Sequence, residues 1–130
     1  MDETKELSRR QKREEVIKKL YECDINSDIV NFTVGDEFID GSIKGVLDNL
    51  EKIDEIISTN LTGWKINRLT YVDRAIIRFA TYELYYTDTA FEIAINEALN
   101  LTRKFSDEGD NKMVGFTNKV LDNIKKYLKK

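Results

Sequence analysis

Between positions 39 and 57 the residues Ile39, Ile43, Val46, Leu50, Ile53 and Ile57 recur at steps of four, three, four, three and four. That rhythm lays one apolar stripe along a helix and is wrong for a strand, whose faces alternate every second residue. The chain contains no proline in 130 residues, so no helix is forced to stop for want of an amide donor. Together these features predict an almost wholly helical protein. A long helix is expected over 36–59, broken by Thr62-Gly63, with Trp64, Ile66 and Leu69 covering the junction. Gly41 and Gly45 lie one turn apart on it. Each costs about 1 kcal/mol of helix propensity relative to alanine, so the close approach of another backbone is expected there.

Three further starts carry the capping-box pattern, in which a side-chain oxygen caps the third amide of the helix and the third side chain reaches back. They are Ser8…Gln11, Thr70…Asp73 and Thr89…Glu92. Helices are therefore predicted over 9–24, 71–86, 90–105 and 112–128, with a short turn or helix over 28–34 and a loop over 106–111. The expected architecture is all-α, a compact bundle of six or seven helices. At this length residues 1–130 make one domain, because chains usually divide only beyond roughly 250 residues.

Composition narrows the chemistry. There is no histidine and one cysteine, Cys23, which removes most zinc sites, Ser-His and Cys-His nucleophile pairs and imidazole acid–base catalysis. No metal, cofactor or catalytic residue is expected, and the balance argues against an enzyme. The lone cysteine excludes an internal disulfide framework and fits a reducing cytosol. No apolar run approaches the roughly 18 residues that cross a bilayer, and residues 1–6 lack the pattern of a signal peptide. A cytoplasmic protein with no membrane partner is expected.

The net charge of −3 hides a strong division. Residues 1–21 carry a net +2, residues 22–60 a net −8, residues 61–118 a net −1 and residues 119–130 a net +4. If the ends of the chain meet, as domain termini often do, they form a positive patch suited to a polyanion. The plainer alternative is a solvated surface with a lysine tail.

On the first helix, at 100° per residue, Arg9, Arg10 and Arg13 continue the stripe made by Val16, Ile17 and Leu20. A helix that keeps its face but changes from apolar to arginine is expected to run past the edge of its own core. Arginines in a first turn also oppose the helix dipole. Two readings stand: internal pairing with the acidic second quarter or with Glu14 and Glu15, or phosphate contact, which suits the planar guanidinium fork. Tyr21 on the same helix could stack on an unpaired base or belong to the core.

In the second half, Asp73-Arg74-Ala75-Ile76-Ile77-Arg78-Phe79-Ala80-Thr81-Tyr82-Glu83-Leu84 resembles the DRAILRxAxYEL signature of the NusB family of bacterial transcription antitermination factors. Ala94-Ile95-Asn96-Glu97-Ala98 matches that family's AINEA, and Phe116-Thr117-Asn118-Lys119-Val120-Leu121-Asp122 resembles its FVNGVLD. Arg9-Arg10, Arg13 and Leu20-Tyr21 with Asp24 are similar to its arginine-rich first helix. Lys119 stands where the family usually has glycine, and Ala90 where it often has proline. The resemblance implies an all-helical, non-catalytic protein that binds the boxA element of nascent RNA together with NusE, a small-subunit ribosomal protein. It further implies assembly with other Nus factors on RNA polymerase to suppress premature termination, notably in ribosomal RNA operons. The family's arginine-rich helix maps onto Arg9, Arg10 and Arg13 as RNA-binding residues.

Helical geometry adds candidates. Arg74, Arg78, Thr81 and Tyr85 share a face of the 71–86 helix opposite Val72, Ile76 and Phe79. That face is either solvated or a contact for a protein partner, where arginine and tyrosine are enriched. Glu83 falls in the middle of the apolar stripe and needs a partner if buried, inside the fold or on another protein. On the last helix Asn118, Lys119 and Asp122 lie with Lys125, Lys126 and Lys129 opposite Val120, Ile124 and Leu128. This face is ordinary solvent surface or takes phosphates on lysine and base edges on Asn118 or Asp122. A helical scaffold or protein-interaction module without RNA binding is the competing function, and a homodimer would hide the basic surface. A methyltransferase-associated helical domain is disfavoured, because no glycine-rich phosphate loop follows a strand.

Overall fold

Helix α1 begins where Ser8 accepts a hydrogen bond from the Gln11 amide at 3.1 Å and the Gln11 side chain takes the Ser8 amide at 2.8 Å. It then runs Arg9–Ile25. The computed structural model describes residues 6–26 and 33–129. The turn or helix expected over 28–34 lies mostly outside the described residues. The chain continues as α2 (Glu37–Asp48), α3 (Leu50–Thr59), a 3₁₀ turn (Ile66–Arg68), α4 (Tyr71–Tyr86), α5 (Phe91–Phe105) and α6 (Lys112–Tyr127). There is no strand among the described residues, and the all-α bundle expected from the sequence is what forms.

One predicted helix is two. The 36–59 segment breaks at Asn49, whose side-chain amide takes the Gly45 carbonyl at 2.8 Å. The Asn49 backbone amide turns instead to Val46 at 3.3 Å. An asparagine that competes for its own helix's acceptor ends the run of regular bonds, although the apolar stripe carries on through Ile53 and Ile57, both fully buried. The glycines also differ from expectation. A methyl group at Gly45 would lie 2.6 Å from the Tyr82 hydroxyl oxygen, so a ring of α4 and not a backbone presses there. At Gly41 nothing stands within 4 Å of such a methyl.

The Thr70 cap forms, with its hydroxyl 3.1 Å from the Asp73 amide. The Thr89 box does not. Helix α5 begins one residue later than expected, from Ala90 with no side-chain cap. Thr89 instead turns back, its amide donating to the Thr87 hydroxyl at 3.2 Å. Gly63, at φ 77°, makes the break after α3, a conformation that costs glycine nothing. Trp64 stays half exposed and meets Phe116 edge-on at 5.9 Å, while Leu69 is buried.

Helix α4 is the axis of the fold, packed against α1, α2, α3, α5 and α6. Ile76, Ile77, Phe79, Ala80 and Leu84 are all buried, and one continuous apolar cluster joins them to residues of every other α-helix. Being enclosed on most sides, α4 has no broad solvated face, and even Thr81 is fully buried.

Candidate nucleic-acid interface

The ion pairs fix the relative directions of the helices. Arg13 meets Glu83 and Asp24 meets Arg74, so α1 and α4 are antiparallel. Arg10 meets Glu97 and Glu14 meets Lys104, so α1 and α5 run the same way. The Lys125 ammonium sits 3.9 Å from the centre of the Phe91 ring, which places the end of α6 beside the start of α5. The basic opening of α1 and the lysine-rich end of α6 therefore lie at one end of the bundle, with the first turns of α5 between them.

The four cations opening α1 have different fates. The Arg9 guanidinium carbon lies over the Phe38 ring, 4.1 Å from its centre, and Arg9 is exposed. Arg10 grips Glu97 with Nε and Nη2, both at 3.1 Å, and its side chain stays 61% exposed. Lys12 reaches Asp36 at 2.8 Å. Arg13 is buried and grips Glu83 with Nε at 3.0 Å and Nη2 at 2.9 Å. The hydrogen bond from Arg10 holds the Glu97 carboxyl below its ordinary range, and the same bond raises Arg10. Lys12 does the same to Asp36 by donating to it.

The two readings of these arginines divide along the helix: Arg9 and Arg10 stand exposed at the edge of the core, Arg10 already paired with Glu97, whereas Arg13 is paired inside it. The stripe does not leave the core at Arg13, because Glu83 waits opposite it in the middle of the apolar face of α4. Each answers the other's burial. Glu83 faces inward, with the Thr89 hydroxyl 3.5 Å from the same carboxylate.

Arg74 and Arg78 are also engaged within the fold. Arg74 Nε donates to Asp24 at 2.8 Å, and Arg78 holds Asp54 with two bonds of 2.8 Å while lying 3.3 Å from Asp24. Their face is covered by the end of α1, through Asp24, and the middle of α3, through Asp54. Tyr85, further along, is exposed and edge-on to Tyr86 at 4.7 Å. Tyr21 is exposed near the other end of the bundle, edge-on to Tyr71 at 6.2 Å and beside a groove of about 340 Å³ lined by Ile17, Val72 and Phe105. Eleven residues of helix, about 16 Å, separate it from Arg10. Asn118 and Lys119 are exposed on α6, and Asp122 pairs with Lys126 at 3.1 Å.

Glu97 and Asp24 stand out in the sequence only as parts of motifs, with no contact implied, and Phe38 and Lys104 carry no role there. The i, i+7 spacing of Glu97 and Lys104 puts them on one line of α5, the signal that could have drawn attention to them. Among the described residues no group of acidic or cysteine side chains could hold a metal ion, and no helix is long and apolar enough to cross a membrane.

Comparison with known proteins gives a consistent result. The family model described as NusB family matches residues 9–126. The transcription antitermination protein NusB of Bacillus subtilis (strain 168) is 37% identical over 128 residues, covering 92% of this chain and 95% of that protein. A solved structure of T. maritima NusB superposes with a TM-score of 0.80 at 32% identity, covering 94% of this chain and 93% of that one. A NusB chain solved with NusE and dsRNA has the same fold, with a TM-score of 0.75 at 24% identity over 93% of this chain and 99% of that one.

Proposed function

Because the chain belongs to the NusB family, we propose that it is a transcription antitermination factor, without catalytic activity, that acts in the cytoplasm by binding boxA-type RNA jointly with NusE. The observation that carries this reading is the gathering of cations at one end of the bundle. Arg9 and Arg10 open α1, and Lys125 closes α6 beside the α5 start. A local concentration of positive charge on a protein of net charge −3 attracts a polyanion where the whole molecule would not.

Arg9 and Arg10 make the phosphate contacts, and Arg13 serves by holding α1 to α4 so that the opening turn is rigid. Asn118 and Lys119 extend the surface along α6, where an amide can read a base edge and an ammonium a phosphate. Tyr85, exposed on α4, offers surface to the protein partner, while Arg74 and Arg78 serve by tying α4 to α1 and α3. A few cations give weak capture alone, so sequence preference is supplied jointly with NusE. RNA polymerase and the other Nus factors complete the assembly, which resists premature termination in ribosomal RNA operons.

Titrating a boxA RNA and a scrambled RNA, with and without NusE, tests this. Preference for boxA that emerges or sharpens with NusE is expected. Equal affinity for both RNAs in the presence of NusE would refute it.

A further inference from the structure

The seam between α1 and α5 has an ordering of charge that the other surface pairs lack. In Arg10–Glu97 the cation side chain is 61% exposed and the carboxylate 16%. In Lys104–Glu14, at 2.9 Å, the values are 58% and 15%. In Lys44–Asp48 and Lys126–Asp122 the carboxylate is itself about half exposed, where it would repel any phosphate drawn to the lysine. At the seam the anions are sunk between the helices and the cations stand above them.

The bonding continues this arrangement. Glu97 accepts from Arg10 on both oxygens and, at 3.4 Å, from the side-chain amide of Asn100. Asn100 in turn accepts from Nη1 of exposed Arg103 at 3.1 Å. Arg10 uses the edge formed by Nε and Nη2. A guanidinium is a rigid plane with five N–H donors, so the edge bearing Nη1 points away from Glu97. Glu97 and Lys104 are seven residues apart, about 10 Å along α5, which sets Arg10 and Lys104 as successive stations on one line.

We propose that the α1–α5 seam is a preorganised phosphate strip for single-stranded RNA, in which sunken Glu97 aims Arg10, sunken Glu14 aims Lys104, and Asn100 steadies Arg103 beside them. Glu97 and Glu14 are positioning residues that never touch the RNA. They remove the rotamer freedom that a long cation would otherwise lose on binding. The strip rests on the RNA-binding reading above and extends it to Lys104 and Arg103 on α5.

The experiment is a titration of boxA RNA in the presence of NusE at several salt concentrations, with thermal unfolding of every variant alongside. Arg10→Ala and Lys104→Ala should each weaken binding and flatten the salt slope by about 0.7, the share of one single-strand phosphate contact. Glu97→Ala should weaken binding by roughly two- to tenfold, the cost of immobilising one long side chain, with the slope preserved because Arg10 remains. Glu97→Gln, which keeps an acceptor for Arg10, should recover part of the loss, and Arg10→Ala with Glu97→Ala should bind no worse than Arg10→Ala alone. Tighter or unchanged binding by Glu97→Ala would show a mask and overturn the positioning role. A Lys104→Ala variant equal to the wild type in affinity and slope would overturn the strip while leaving the RNA-binding reading intact. Failure of the wild type to bind boxA RNA with NusE would overturn both.

Discussion

The guanidinium of Arg13 and the carboxylate of Glu83, 70 residues apart in the chain, close on each other through two hydrogen bonds of 3.0 and 2.9 Å inside the bundle. Both side chains are buried. Each alone breaks the apolar stripe of its helix, and together they clamp the first helix of the protein to its central one.

Breaking this clamp on one side should leave an unanswered buried charge. Arg13→Ala or Glu83→Ala is expected to lower stability by about 3–5 kcal/mol, whereas replacing both by apolar residues of similar volume should restore much of the loss. Chemical denaturation of the three variants checks this. Equal losses in the single and double variants would contradict it.

Two glycines on α2 should respond in opposite directions to one substitution. Gly41→Ala meets nothing within 4 Å and should stabilise the helix by roughly 0.5–1 kcal/mol. Gly45→Ala drives a methyl into the Tyr82 ring, and overpacking of this kind costs about 1–3 kcal/mol. Unfolding curves in urea distinguish the signs.

Acid should weaken the seam between α1 and α5. The hydrogen bond from Arg10 holds the Glu97 carboxyl below its ordinary range. A carboxyl depressed in the folded state adds stability that is fully present above its unfolded pKa, about 4.3, and is lost as pH falls through the folded value. The thermal midpoint of the wild type should therefore exceed that of Glu97→Gln near neutrality by a small margin, the pair being at the surface. That margin should narrow below about pH 4. A margin independent of pH would count against the pair.

Much of this fold is legible from local chemistry. The Ser8 and Thr70 caps and the 3,4 spacing place α1 and α4 within a residue of where they occur, because a cap and a stripe are properties of neighbouring residues. The break at Asn49 is not legible in the same way, since the apolar stripe runs across it and only a side-chain bond to Gly45 marks it. Thr89 resembles a cap in sequence, yet its amide is drawn to Thr87 and its hydroxyl lies near Glu83. At the candidate interface, helical angles placed Arg13 and Glu83 each on an apolar stripe but could not show that the stripes face one another. Arg74 and Arg78 read as a solvated or partner-facing surface because Asp24 and Asp54, which cover them, come from other helices.

The most direct test replaces Arg9 and Arg10 together by alanine and measures boxA RNA affinity with NusE across a range of salt, beside thermal stability. Both side chains lie at the exposed opening of α1. A large loss of affinity is expected, with a salt slope shallower by roughly 0.7 for each contact removed and an unfolding midpoint close to that of the wild type. RNA binding that persists unchanged while thermal stability collapses would contradict this and mark these arginines as parts of a scaffold.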